Sequence, residues 1–183
     1  MLRRQLAGLA LLPLWGARAQ AQDLAQSIRR GGCAVLLRHA ITDPGIGDPA
    51  GFTLERCSSQ RNLSEEGRAQ AKRIGAWFEA RRLKPAVVRT SAWCRCRDTA
   101  QLAWGQALHW SPLDSTFDNR RLAPAATQAL RAALAALPAG GFEVWVTHQV
   151  NITALTGEFS SMGQGLLVDS AGRVLQAMAF DGA

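Results

Sequence analysis

The apolar positions of this chain fall into two patterns, short continuous runs and longer stretches in which they recur at helical spacing. Cys33–Leu37 (CAVLL), Ala86–Arg89 (AVVR) and Phe142–Val146 (FEVWV) are continuous runs. A strand covered on both faces of a parallel sheet reads this way, because neither face keeps a polar side. Between the first two runs, Ala69, Ala71, Ile74, Trp77, Phe78 and Leu83 form a stripe near helical spacing, with Ser64 placed to cap the helix and Glu65 and Glu66 in its first turn. Pro85 is the expected stop. Asp23–Arg30 reads as a short helix ended by Gly31-Gly32, and further helices are expected from about Trp93 to Trp104, from Pro124 to Leu137, and from Asn151 to Leu155. Leu108–Trp110 reads as a short strand, followed by a polar stretch, Ser111–Arg121. Gly165–Asp169 and Arg173–Phe180 predict a hairpin around Ser170-Ala171-Gly172. Strands alternating with helices predict an α/β fold around a mostly parallel sheet.

Residues 1–21 follow a different rule. Arg3 and Arg4 precede an apolar segment, Leu6–Trp15, and small residues then line up as Ala17-Arg18-Ala19 and Ala19-Gln20-Ala21. This is the pattern of a cleaved export signal, with Ala21 the preferred site and Ala19 the alternative. The apolar segment is too short for a permanent membrane anchor. The surroundings of the paired arginines favour ordinary secretion over twin-arginine export. Residues 22–183 then make one domain, exported to the periplasm or secreted. Losing Arg3, Arg4 and Arg18 lowers the formal charge from +7 to +4. With only Lys72 and Lys84 as lysines, the chain has no lysine-rich block of the kind that binds nucleic acid, and the positive charge suits a small anionic substrate.

Export changes how the four cysteines are read. Cys33, Cys57, Cys94 and Cys96 allow three full pairings. The expectation is one disulfide from Cys57, in a long loop, to Cys94 or Cys96 at the start of a helix, with Cys33 a buried apolar residue in a strand. Cys94-Arg95-Cys96 as a redox pair lacks the C-x-x-C motif and its context.

Polar residues cluster where the apolar runs end: Arg38-His39 after CAVLL, Ser91–Arg95 after AVVR, and His148 after FEVWV. In open α/β sheets the ligand crevice lies beyond the carboxyl ends of the strands, so these clusters can converge. Two histidines and two arginines meeting there would suit a small dianion such as phosphate, with helix N-termini adding backbone donors. The long loop at residues 41–62, rich in Gly, Pro, Asp and Ser, is of the kind that serves function. Close His-x-His or His-x-x-x-His spacing is absent from the sequence, which argues against a metal site built from His39, His109 and His148.

L-L-R-H-A at Leu36–Ala40, N-L-S-x-x-G-x-x-Q-A at Asn62–Ala71, S-x-x-x-R-x-x-x-T-A at Ser91–Ala100 and V-T-H at Val146–His148 together resemble the histidine phosphatase (phosphoglycerate mutase-like) superfamily. The resemblance runs from about residue 33 to 156 and departs from the family at Ala40, where Gly is usual. It implies a three-layer α/β/α sandwich of the phosphoglycerate mutase type. The short connection from Leu108 to His148 leaves little room for a lid, which favours a compact phosphatase over a mutase, and Gln149 after His148 argues against the phytase-like branch.

By this resemblance His39 is the nucleophile, Arg38 and Arg95 bind the phosphate oxygens, a protonated His148 faces the same oxygens, and Thr42 donates its hydroxyl to them. No cofactor is required. The plainer alternative for the arginines is an ordinary salt bridge with Asp98 or Glu55, and for His109 a structural role. Asp118 is the expected leaving-group acid, with Asp114 next and Asp43 third. The function implied is an exported, metal-independent phosphomonoesterase acting on a small phosphorylated substrate, an envelope sugar phosphate among them. Phosphohistidine on a protein is another option for its substrate. The competing reading is a catalytically silent phosphate-binding module of the same fold.

Overall fold

A computed structural model describes residues 24–106 and 108–180. The export signal expected at residues 1–21 lies outside the described residues. Six strands form one sheet: β1 (Cys33–Arg38), β2 (Val87–Thr90), β3 (Leu108–His109), β4 (Phe142–Thr147), β5 (Gly165–Asp169) and β6 (Val174–Met178). Their order is β3-β2-β4-β1-β5-β6. The first four run parallel, while β5 lies antiparallel on β1 and β6 antiparallel on β5. The antiparallel edge is the hairpin read from Gly165 onward.

Among the described residues, five α-helices cover the two faces: α1 (24–30), α2 (Glu65–Ala80), α3 (Cys94–Trp104), α4 (Ala123–Ala135) and α5 (Gln149–Thr156). Alternate residues of β1 enter opposite cores, as strand geometry requires. Cys33, Val35 and Leu37 pack with Ile28, Ile74, Phe78 and Ala100 on the side of α1, α2 and α3. Ala34 and Leu36 pack with Leu130, Leu134, Ile152 and Leu155 beneath α4 and α5. The result is the expected three-layer sandwich; β1 is buried on both faces, while in β2 Val87 and Arg89 are half-buried and Arg89 pairs with Glu143 of β4.

The end of α4, at Ala135 rather than Leu137, and two further helix boundaries differ from the sequence reading by two residues or more. Pro85 does not end α2. The helix stops at Ala80, Arg82 takes the left-handed conformation (φ 52°), Leu83 N–H bonds Phe78 O at 2.9 Å and Arg82 N–H bonds Glu79 O at 2.8 Å. That is a Schellman closure, with the buried Leu83 returning to the core beside Phe78. At the other boundary α5 begins at Gln149, earlier than expected, because the His148 carbonyl accepts from both Asn151 and Ile152 N–H at 3.1 Å. A single residue, His148, therefore joins β4 to α5. The first turn of α2 is capped as expected, with Ser64 Oγ accepting from Gly67 N–H at 3.1 Å. Gly67 itself cannot be larger, since a Cβ there would collide with the Ile41 carbonyl. The motif glycine thus lets α2 press against the backbone just after His39.

Candidate active site

Arg38, His39, Arg95 and His148 converge at the carboxyl ends of β1, β2 and β4, where they line a cavity of about 330 Å³. His39 is 3% exposed. Its Nδ1 lies 2.9 Å from the Ala40 carbonyl, which can only accept, so Nδ1 carries the proton and Nε2 keeps its lone pair. Burial, followed by the charges of Arg95, Arg38 and Arg61, outweighs the Ala40 hydrogen bond and lowers His39 to about 3. A neutral imidazole with one free nitrogen is the form a nucleophile needs.

His148 sits edge-on to His39 with ring centroids 5.6 Å apart, and Trp93 packs against its ring at 5.3 Å. Its Nε2 is 2.8 Å from Ser91 Oγ, leaving Nδ1 as the nitrogen with which it can serve a ligand. The sequence reading takes His148 as protonated. Burial, His39 and the three guanidinium groups instead push it well below its usual 6.5, so a charged His148 needs the compensating charge of a phosphate against it.

Arg38 donates through Nη1 to the Ser160 carbonyl at 2.8 Å and toward Gln149 Oε1 at 3.4 Å. Arg95 does form a salt bridge, but with neither Asp98 nor Glu55. Its Nη1 and Nη2 grip Asp48 Oδ1 and Oδ2 at 2.7 and 3.1 Å, and the pair is almost wholly buried. Asp48 also accepts from Arg61 N–H at 2.9 Å and from Trp93 Nε1 at 3.0 Å. Burial pushes the Asp48 carboxyl up, yet these hydrogen bonds and the Arg95 charge hold it below the usual range. The Nε atoms of Arg38 and Arg95 are both buried without a partner, donors that an anion in the cavity could satisfy.

Asp48 and Arg61 are the functional residues the sequence reading missed. Arg61 is a third guanidinium on the cavity wall, with Nε on Gly47 O at 3.0 Å and Nη1 on Thr42 Oγ1 at 2.6 Å. Thr42 itself is buried and, off the cavity wall, orients Arg61. The available signal was an isolated Asp and an isolated Arg inside a Gly- and Pro-rich loop, which spacing alone does not mark. Cys57 ties that loop to the start of α3 through a disulfide to Cys94, one of the two partners expected for it, with a Cα–Cα distance of 5.7 Å. Cys96, the other, is a free buried thiol, and so is Cys33.

The N-terminus of α3 contributes less than expected. At α3 the Cys94 N–H is taken by Gln60 Oε1 at 2.9 Å and the Ala92 N–H before it by Asp114 Oδ1 at 2.7 Å. Asp114 also receives His109 Nε2 at 3.1 Å, which makes it a structural clamp, turned away from the cavity, and gives His109 its structural role. Asp43 is exposed and off the cavity wall. Asp118 does line the cavity, exposed at its mouth. Among the described residues, no group of three or more His, Cys, Asp or Glu is placed to hold a metal ion.

Residues 34–116 match the family described as the histidine phosphatase superfamily (branch 1). Solved structures share the fold. A putative phosphohistidine phosphatase SixA from Agrobacterium tumefaciens aligns with TM-score 0.56 at 21% identity, over 80% of this chain and 97% of that one. A protein histidine phosphatase SixA complexed with tungstate aligns with TM-score 0.58 at 14% identity, over 81% and 97%. A mycobacterial glucosyl-3-phosphoglycerate phosphatase aligns with TM-score 0.55 at 20% identity, over 81% and 97%. No curated protein sequence matches the chain.

Proposed function

We propose that this histidine phosphatase superfamily protein is an exported, metal-independent phosphomonoesterase that hydrolyses a small phosphate ester through a phosphohistidine on His39. One observation carries the reading: a buried neutral imidazole whose Nδ1 is fixed on a backbone carbonyl, so that its Nε2 belongs to a cavity walled by three guanidinium groups. Nε2 attacks phosphorus, the ester P–O bond breaks, and the leaving alkoxide takes a proton from Asp118. Arg38, Arg61 and Arg95 balance the charge on the non-bridging oxygens, the part a metal ion plays elsewhere. His148 takes a proton from the arriving phosphate monoanion, hydrogen-bonds it back to a non-bridging oxygen, and returns it as inorganic phosphate leaves. Water then attacks the phosphohistidine, giving one proton to the Asp118 carboxylate, and inorganic phosphate leaves.

Export is supported by the leader pattern of residues 1–21 and by the Cys57–Cys94 disulfide. The glucosyl-3-phosphoglycerate phosphatase among the structural neighbours is named for a sugar phosphate, the class against which the substrate of this cavity is to be tested. The test is hydrolysis of p-nitrophenyl phosphate in EDTA by wild type and His39→Ala. An aryl leaving group needs little protonation, so the assay does not depend on Asp118. Turnover that survives chelation and drops at least a thousandfold in the variant is expected. Folded protein that binds vanadate without turnover is instead a silent phosphate-binding module, and equal turnover in the variant rejects His39.

A further inference from the structure

Granted the phosphatase reading, we infer that the group esterified to the phosphate is hydrocarbon next to the ester oxygen, a short alkyl or single-ring alcohol rather than a sugar or other polyol. The cavity has two halves. Its inner half is the cationic cluster around His39. Its outer half is formed by Ile46, Phe117, Val150 and Met162 with the backbone of Gly45 and Gly47. Ile46 is 92% exposed and Phe117 44% exposed. A Cβ on Gly47 would stand 3.6 Å from Phe117 Cε1, so the residue 45–47 turn and Phe117 meet across the mouth. Phe159 adds a third exposed aromatic or aliphatic side chain, its ring centroid 5.9 Å from the Arg38 guanidinium. Large apolar side chains gathered at the entrance of a site gain by covering with an apolar ligand group.

The polar side chains of the outer half are few, and Gln149 is already engaged at both ends of its amide. Gln149 Oε1 accepts from Ser160 N–H at 3.0 Å and faces Arg38, while its Nε2 donates to Thr153 Oγ1 at 2.7 Å. Ser115 Oγ accepts from Phe117 N–H at 3.3 Å. Among the described residues of that half, only the Asp118 carboxylate is without a hydrogen-bond partner, and the proposed mechanism employs it on the ester oxygen. A polyol here finds few partners and keeps its hydroxyls in water, so it forgoes the hydrophobic gain that an alkyl group obtains by covering these side chains. A volume of about 330 Å³ is near the small end of ligand cavities, roughly 300–1,000 Å³, so beside the phosphate it holds a short chain or one ring.

The test measures kcat/KM for ethyl, propyl, butyl and hexyl phosphate, with glycerol 1-phosphate as the hydroxylated twin of propyl phosphate. The alkyl leaving groups are nearly equal in basicity, and glycerol is the better leaving group, so a preference for propyl reports contact rather than chemistry. The expected result is a rise of about two- to threefold per methylene up to butyl or hexyl phosphate, with propyl at least about tenfold above glycerol 1-phosphate. In an Ile46→Ser, Phe117→Ser double variant the trend flattens. A flat or falling trend in wild type, or glycerol 1-phosphate equal to propyl, overturns the apolar assignment and leaves the phosphatase reading standing. Loss of turnover on every ester, p-nitrophenyl phosphate included, overturns both.

Discussion

Two buried imidazoles beside three guanidinium groups give the site a pH signature of its own. His39 is lowered to about 3 and His148 well below 6.5, burial being the first cause in each. The unfolded chain binds protons on both histidines below about 6.5, whereas the folded chain refuses them, so stability rises with pH through this window and is lost on acidification. For His39 alone the loss at about pH 4 is on the order of 3 kcal/mol. The Asp48 carboxyl, held below its usual range, adds to the loss in the same direction at lower pH. Thermal melts from pH 7.5 to 4 should fall steadily below about 6.5, and a His39→Asn variant should fall less steeply. An acid slope identical in the two proteins would mean that His39 is not the group being held neutral. At this scale the sequence was legible where a side chain follows a strand directly, as Arg38, His39 and His148 do. Asp48 and Arg61 were not, because their positions are fixed by a loop whose path depends on a disulfide and on contacts with Trp93 and Thr42.

Among the elements, continuous apolar runs located the central strands to within one residue, most clearly β1, where burial on both faces leaves no room for polar alternation. The end of α2 shows where such reading stops. The closure depends on two backbone hydrogen bonds and on Leu83 reaching the core, and Arg82 fills a left-handed position that glycine usually takes. Its side chain is exposed and makes no hydrogen bond among the described residues, so the conformation carries a steric cost without a compensating contact. Arg82→Gly should therefore stabilise the protein by about 0.5–1 kcal/mol, or roughly 1–4 °C in Tm. An unchanged or lowered Tm would show that the Arg82 stem contributes packing that offsets the strain.

For the whole molecule, the decisive link is between the disulfide and the site. The disulfide joins the loop bearing Asp48 and Arg61 to the helix bearing Arg95, across a sequence separation of 37. Closing a loop of that length stabilises the fold by about 4 kcal/mol in the chain-entropy account. The other two thiols are out of reach: Cys33 is raised to about 11 and Cys96 to about 12, in both cases mainly by burial. Exported protein should thus show no thiol reactive toward Ellman's reagent when native, two after denaturation and four after reduction. The same chain without residues 1–21, made in a reducing cytoplasm, should show four on denaturation alone and melt about 8–15 °C lower. Its KM for p-nitrophenyl phosphate should rise more than its kcat falls, because the loop that aligns Arg61 and Arg95 loosens while His39 stays on β1. Equal thiol counts from the two compartments would show that the bridge does not depend on the proposed export, and a reduced protein with unaltered KM would show that the loop holds its place without the bridge.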